Sequence, residues 1–149
     1  MGEPMARAVR AAGFEVAACA HRNRAPLERL ARDGVAALAD PAAVAARSDA
    51  IVKVIPDAPQ VEEALFGERG ALAGANPATL FVDMSTVSPV ASRSVAERLG
   101  AAGHGFVDAP ISGGPARAAE GTLTIMAGGS DADYARAKPL LEAMGTPHH

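Results

Sequence analysis

The chain has 149 residues, a length typical of one domain, and 49% of them are hydrophobic, which is enough to bury a sizeable core. Its 14 basic and 17 acidic residues give a net charge of −3, and we expect no nucleic-acid partner because no long Lys/Arg run is present. The lone cysteine, Cys19, excludes an intrachain disulfide, and no apolar run approaches the roughly 20 residues that span a bilayer. These features predict a single cytoplasmic domain without a membrane partner.

Short strand-type runs alternate with helix-type runs along the chain, which is the pattern of βαβ units around a parallel sheet. The predicted helices cover residues 4–12, 26–33, 40–46, 57–66, 88–99 and 130–144. The predicted strands cover residues 14–19, 50–55, 79–84, 105–109 and 122–127. We therefore predict an α/β fold, a Rossmann-like parallel sheet with flanking helices.

The stretch from Val107 to Gly129 contains the most informative local pattern. A strand is expected to end near Pro110, and the next to start at Thr122, with Ser112-Gly113-Gly114 in a turn between them. The two glycines leave backbone N–H groups uncovered by side chains, and a cluster of such groups can hold a carboxylate. Taken alone, however, Ser-Gly-Gly is most often an ordinary turn.

Four blocks of sequence carry a resemblance to a known family. They are Met1-Gly2-Glu3-Pro4-Met5-Ala6, the segment from Ile55 to Val61, the segment from Asp83 to Pro89, and the stretch from Asp108 to Gly129. In their order and spacing they resemble the β-hydroxyacid dehydrogenases, which include 3-hydroxyisobutyrate dehydrogenases, tartronate semialdehyde reductases and, more distantly, 6-phosphogluconate dehydrogenase. The resemblance implies a single NAD(P)-binding Rossmann-type domain over residues 1–149.

The resemblance also implies an activity and partners. The family transfers hydride between the CH–OH group of a small 3-hydroxyacid and NADP or NAD, and it works as oligomers. We expect the full-length form of this chain to be a homo-oligomer with a small carboxylate-bearing hydroxyacid as substrate. A non-catalytic dinucleotide-binding or interaction module is the alternative.

By resemblance, Gly2 is the third glycine of the Gly-x-Gly-x-x-Gly fingerprint that receives the pyrophosphate at a helix N-terminus. About 20 residues further on, this fold carries an acid that binds the ribose of NAD or an arginine that binds the 2′-phosphate of NADP. The chain has Arg22 and Arg24 there and no acid, so NADP is favoured over NAD. Two solvated arginines in a surface loop are the alternative interpretation.

Ile55 and Pro56, with the side chain of Gln60, would border the cofactor in the resembled family, and Thr86 would lie beside the nicotinamide. Pro56 could instead only end a strand, and Ser85, Thr86 or Ser88 could cap the following helix. Ser112, Gly113 and Gly114 would hold the substrate carboxylate, as in the family. The four histidines lack the spacing of a zinc site, so we predict no metal.

Two parts of the family pattern are not found in this sequence. The strand that precedes the fingerprint is central in the order 3-2-1-4-5-6, so we expect strands two and four of that order to face a gap. The family's catalytic lysine lies in a Gly-rich segment after residue 149, and neither Lys53 nor Lys138 matches it. We therefore expect no catalytic residue in this chain and no activity from it alone, as in a domain truncated at both ends.

Overall fold

A computed structural model of the chain describes residues 1–20, 22–55 and 58–149. The helices are α1 (Gly2–Ala11), α2 (Ala25–Arg32), α3 (Pro41–Ala45), α4 (Ala58–Phe66), α5 (Ala71–Gly74), α6 (Pro89–Ala101), α7 (Gly114–Glu120) and α8 (Asp131–Glu142). The strands are β1 (Ala17–Ala18), β2 (Ala36–Ala37), β3 (Ala50–Lys53), β4 (Leu80–Asp83), β5 (Gly105–Asp108), β6 (Ile111–Ser112), β7 (Leu123–Met126), β8 (Gly128–Gly129) and β9 (Gly145–His148). The α/β alternation predicted from the sequence is confirmed.

The main sheet has the strand order β3-β4-β5-β8. Strands β3, β4 and β5 are parallel and in register, so that Ile51 lies beside Phe81 and Phe81 beside Phe106. Strand β8 pairs antiparallel with β5 and is the outermost strand on that side. Because the three parallel strands share one direction, their carboxyl ends meet at one edge of the sheet.

Helices cover both faces of the sheet, and each face has its own apolar cluster. One cluster includes Met5 of α1, Val82 of β4 and Leu141 of α8. The other includes Phe81 of β4 and Leu99 of α6. Phe81 and Val82 are consecutive residues of β4, whose four residues are all buried, as expected for a parallel strand packed on both faces.

Strands β1 and β2 form a separate two-stranded parallel sheet. In the described part of the chain β1 and β3 are not paired with each other. They correspond to strands two and four of the Rossmann order, so the interruption lies where the sequence predicts a gap. Strand β1 covers only two of the six residues predicted as a strand, 14–19, which fits a strand that has a partner on one side only.

The segment between residues 110 and 121 differs from the prediction of a simple turn between two strands. Strand β6 pairs antiparallel with β7, and helix α7 lies between them. Pro115 stands in the first turn of α7, where its missing N–H is not needed, and Gly121 ends the helix in the left-handed conformation. These end signals frame an alanine-rich segment, and together they favour a helix.

The last residues form a strand that is not among those predicted from the sequence. Gly145–His148 form β9, which pairs in parallel with β7, and the ring of His149 stacks on Tyr134 with centroids 4.0 Å apart. The segment lacks the β-branched pattern of a strand, so its conformation depends on the tertiary pairing with β7. Within the described ranges, no helix is long and apolar enough to cross a membrane.

A network of ion pairs joins α1 to α2. The Glu3 carboxylate accepts hydrogen bonds from Arg29 at 2.7 and 2.9 Å and from Arg7 at 3.2 Å, and Arg7 also pairs with Asp33. The hydrogen bond from Arg29, followed by that from Arg7 and the charges of both, lowers the pKa of Glu3 to about 2. The two helices are thus connected by charge at the protein surface.

We predict that Glu3→Gln lowers the free energy of unfolding near neutral pH and has little effect near pH 2. The folded-state pKa of Glu3 lies below its ordinary value of 4.5, so its contribution is complete above that value and is lost as the pH falls towards about 2. Urea unfolding of both proteins between pH 2 and pH 7 measures the difference. A difference that stays constant across this range would contradict the assignment.

We predict that Leu99→Ala lowers the free energy of unfolding by about 2–5 kcal/mol, because Leu99 is completely buried and its removal leaves a cavity. Val90 lies on the same helix and is 74% exposed, so Val90→Ala is the matched control, with an expected change within about 0.5 kcal/mol. Urea denaturation of both variants tests this. Equal losses would mean that α6 does not pack as described.

Candidate functional site

Two of the predicted cofactor residues lie in loops that follow neighbouring parallel strands. Ile55 follows β3 and Thr86 follows β4, at the edge where the carboxyl ends of the main sheet meet. Ligands of open α/β sheets bind in the crevice outside such strand ends. The fold therefore brings these two predicted cofactor residues to neighbouring loops.

The two loops are joined by hydrogen bonds. The backbone N–H of Ile55 donates to the Ser85 hydroxyl at 2.9 Å, and the backbone N–H of Ser85 donates to Asp83 Oδ1 at 3.0 Å. Pro56, also predicted to border the cofactor, lies outside the described residues. Gln60 lies in the first turn of α4 and is partly exposed.

Thr86 is exposed, and another residue caps the helix that follows it. The Ser88 hydroxyl accepts the backbone N–H of Ala91 at 3.2 Å, so Ser88 is the N-terminal cap of α6. The Ser85 hydroxyl is the acceptor for Ile55. The capping role considered for Thr86 from the sequence is therefore filled by Ser88.

Arg22 and Arg24 are both exposed in the connection from β1 to α2. Arg24 is the N-terminal cap position before α2, and its carbonyl accepts the backbone N–H of Glu28 at 3.0 Å. The Asn23 side chain accepts the backbone N–H of Ala25 at 3.2 Å. These bonds fix the backbone beside the two guanidinium groups, while the groups themselves face solvent.

Gly2 is the first residue of α1, and a Cβ atom added to it would have no neighbour within 4 Å. The backbone at this helix start is therefore open to an approaching ligand. Helix α1 packs against α7, the helix that begins at Gly114. The predicted pyrophosphate and carboxylate residues thus stand at the start of two helices in mutual contact.

Ser112, Gly113 and Gly114 form an exposed strand-to-helix turn. Ser112 pairs with Thr124 in the β6–β7 ladder, which fixes the backbone before the glycines. Gly113 has φ 136° and Gly114 has φ 70°, backbone angles that residues other than glycine rarely adopt. A Cβ on Gly113 would lie 2.8 Å from Arg117 Cδ, so both space and conformation require glycine there.

A row of charged residues crosses the ends of the three parallel strands, and the sequence reasoning missed it. Lys53, Asp83 and Asp108 are neighbours in register on β3, β4 and β5. Lys53 Nζ lies 2.5 Å from Asp83 Oδ2, and these side chains are 6% and 2% exposed. In the part of the chain that the structure describes, neither atom has an aligned hydrogen-bond partner, so attraction between charges holds the pair.

Asp108 is the third member of the row and is partly buried. Desolvation raises the pKa of its carboxyl, the neighbouring Asp83 adds to the rise, and Ser92 and Lys53 oppose it. Asp108 also lines an open cleft of about 530 Å³ between α6, β5, β8 and α8. Lys53 was the available signal for this row, since a cation inside an otherwise apolar strand requires a buried partner.

The histidines, cysteine and carboxylates of the described segments do not form a group of three that could hold a metal ion.

Three comparisons relate the chain to known proteins. It is 46% identical over 98 residues to 2-hydroxy-3-oxopropionate reductase of Escherichia coli K12, covering 66% of this chain and 34% of the relative. It is 38% identical over 144 residues to L-threonate dehydrogenase of Cupriavidus necator, and this match covers 97% of the chain and 48% of the relative. The structure of 3-hydroxyisobutyrate dehydrogenase of Mycobacterium tuberculosis with L-serine superposes on the chain with a TM-score of 0.91 at 33% sequence identity. The superposition covers 100% of this chain and 50% of the dehydrogenase.

The chain spans between a third and a half of the length of these proteins. Residues 1–148 match the family described as the NAD binding domain of 6-phosphogluconate dehydrogenase. The strand-end loops and the helix starts described above belong to the region that this match covers. The chain therefore belongs to the family of 6-phosphogluconate dehydrogenase NAD-binding domains, within the β-hydroxyacid dehydrogenases that its sequence resembles.

Proposed function

We propose that residues 1–149 form the NAD(P)-binding domain of an oxidoreductase that acts on the CH–OH group of a small 3-hydroxyacid. The observation that carries this proposal is the adjacency of the loops after β3 and β4, which are joined through Ile55 and Ser85 at the carboxyl edge of the sheet. Family membership supports the same assignment.

NADP is the preferred cofactor in this proposal. Arg22 and Arg24 are exposed after β1, at the position where this fold recognises the adenosine ribose, and no acid accompanies them. A guanidinium donates paired hydrogen bonds that match the geometry of a phosphate. The open helix start at Gly2 would receive the pyrophosphate, and Ile55, Pro56, Gln60 and Thr86 would border the rest of the cofactor.

The substrate carboxylate is assigned to Ser112, Gly113 and Gly114. All three residues are exposed, and glycine N–H groups beside a serine hydroxyl can together hold an anion without a cationic side chain. The relatives named above act on small acids according to their names, which supports a hydroxyacid of similar size.

The cofactor, when bound, would accept or donate the hydride, and a proton must leave or reach the substrate hydroxyl in the same reaction. The two lysines of the chain are poorly suited to move that proton. Lys53 is buried in its pair with Asp83, and Lys138 lies on α8, where it pairs with Glu142 at 3.8 Å. We therefore assign no catalytic residue to residues 1–149.

This placement of the lysines also favours a second candidate, a non-catalytic dinucleotide-binding module. Incubating the chain with NADP and a 3-hydroxyacid, and following absorbance of the reduced cofactor, tests this candidate, because hydride transfer would exclude a non-catalytic module. Hydride transfer by the chain alone would show that another residue serves as the base. In both cases we propose a cytoplasmic protein without a nucleic-acid partner, and for the oxidoreductase we propose a full-length form that is a homo-oligomer.

We predict that Arg22→Ala weakens NADPH binding about tenfold or more and changes NADH binding little. One charge-assisted hydrogen bond to the 2′-phosphate contributes roughly 1.5–3 kcal/mol, and NADH lacks this phosphate. Titration of the chain with each reduced cofactor, followed by its fluorescence, gives both dissociation constants.

Arg47→Ala is the matched control, since Arg47 is also an exposed arginine but lies between α3 and β3, at the opposite edge of the sheet. It should leave the preference for NADPH unchanged. Equal weakening of NADPH and NADH by Arg22→Ala would reject the assignment of Arg22.

We predict that Ser112→Ala weakens binding of a 3-hydroxyacid, such as 3-hydroxyisobutyrate, about tenfold or more, because one hydrogen bond to the charged carboxylate is lost. NMR titration of the cofactor-loaded chain, followed at the amide signals of residues 112–114, provides the affinity. Ser94→Ala, at an exposed position of α6, is the control. Unchanged signals at residues 112–114 during the wild-type titration would place the carboxylate elsewhere.

A further inference from the structure

We propose that Ser85 and Asp83, supported by Lys53, are positioning residues that set the distance between the loops after β3 and β4. This inference rests on the proposed function, since these loops carry Ile55 and Thr86 of the assigned cofactor site. It gives a role in binding to a buried polar cluster that sequence reasoning did not find.

The argument begins where the backbone ladder of the sheet ends. The backbone N–H of Met84 donates to the Lys53 carbonyl at 2.8 Å and closes the β3–β4 pairing. Beyond that bond the connection passes to side chains, and the Ser85 hydroxyl accepts the Ile55 N–H at 2.9 Å. A side chain thus extends the contact between neighbouring strands into their loops.

Ser85 is itself held in place. Its backbone N–H donates to Asp83 Oδ1 at 3.0 Å, and its side chain is among the buried polar groups, with an exposure of 5%. The second oxygen of the Asp83 carboxylate lies 2.5 Å from Lys53 Nζ. One carboxylate therefore connects the lysine at the end of β3 with the first loop residues after β4.

Lys53 balances the charge that this connection requires. Asp83 has a second carboxylate beside it in register, that of Asp108, which repels it. A cation in contact with a buried carboxylate offsets the repulsion from a second carboxylate beside it. Lys53 holds Asp83 Oδ2 and so fixes the carboxylate with Oδ1 facing the Ser85 amide.

The connection ends at a half-buried backbone N–H, that of Ile55. Without the Ser85 hydroxyl this group would have to find water or another acceptor, and the loop after β3 would move to reach one. Since the backbone of Ile55 is assigned to the cofactor wall, such a movement changes binding more than it changes the core. This difference separates a positioning role from a merely structural one.

The test compares Ser85→Ala with Thr79→Val in the complete 149-residue chain. Thr79 is buried, also carries a hydroxyl, and directly precedes the first residue of β4. Its side chain donates to the Asn76 carbonyl at 2.8 Å. For Ser85→Ala we expect faster hydrogen exchange of the Ile55 amide and a three- to tenfold weaker affinity for NADPH, about the value of one hydrogen bond. For Thr79→Val we expect wild-type hydrogen exchange of the Ile55 amide and wild-type affinity for NADPH, even if the substitution lowers the melting temperature.

Ser85→Thr keeps the hydroxyl and should restore slow exchange of the Ile55 amide and NADPH affinity. If Ser85→Ala does not fold, Ser85→Cys takes its place, because it keeps a similar volume and offers only a weak acceptor. Wild-type affinity in the hydroxyl-free variant, or equal loss of affinity in Thr79→Val, overturns the inference while leaving the proposed function intact. Absence of NADPH and NADH binding by the unaltered chain overturns both.

Discussion

The candidate site depends on the common direction and matched register of β3, β4 and β5. Because Lys53, Asp83 and Asp108 end these strands side by side, the loops that follow start from one edge at the spacing of neighbouring strands. Ile55, Thr86 and Ser112 come within four residues after those ends. The apolar clusters on the two faces fix the sheet, and the sheet in turn fixes where the loops begin.

Much of this arrangement could be predicted from the sequence, because local signals agree with the fold. Pro89 after Ser88 and the cap at Asp40 begin helices where expected, and the apolar run from Ala50 forms strand β3 of the main sheet. Helix α7 and strand β9 were missed for different reasons. Two glycines concealed the helix start of α7, and β9 depends on its pairing with β7.

The polar part of the site was harder to predict than the strands. Sequence spacing indicates that Ser85, Thr86 and Ser88 are near a helix start, but it does not predict which hydrogen-bond partner each hydroxyl has. The structure assigns Ser88 to the cap and Ser85 to Ile55, a residue 30 positions earlier. Likewise the partner of Lys53 is 30 residues away, so only the register of β3 against β4 identifies it.

The conformation of Gly113 and Gly114 limits which residues the proposed carboxylate turn can contain. A side chain at Gly113 would clash with Arg117 and would also need a rare backbone angle. Any substitution of Gly113 would therefore disturb the turn. In the proposed site, differences in ligand preference would arise from residues other than these two glycines. Ser112 and the exposed face of α7 would then be positions at which specificity can be redesigned without rebuilding the backbone.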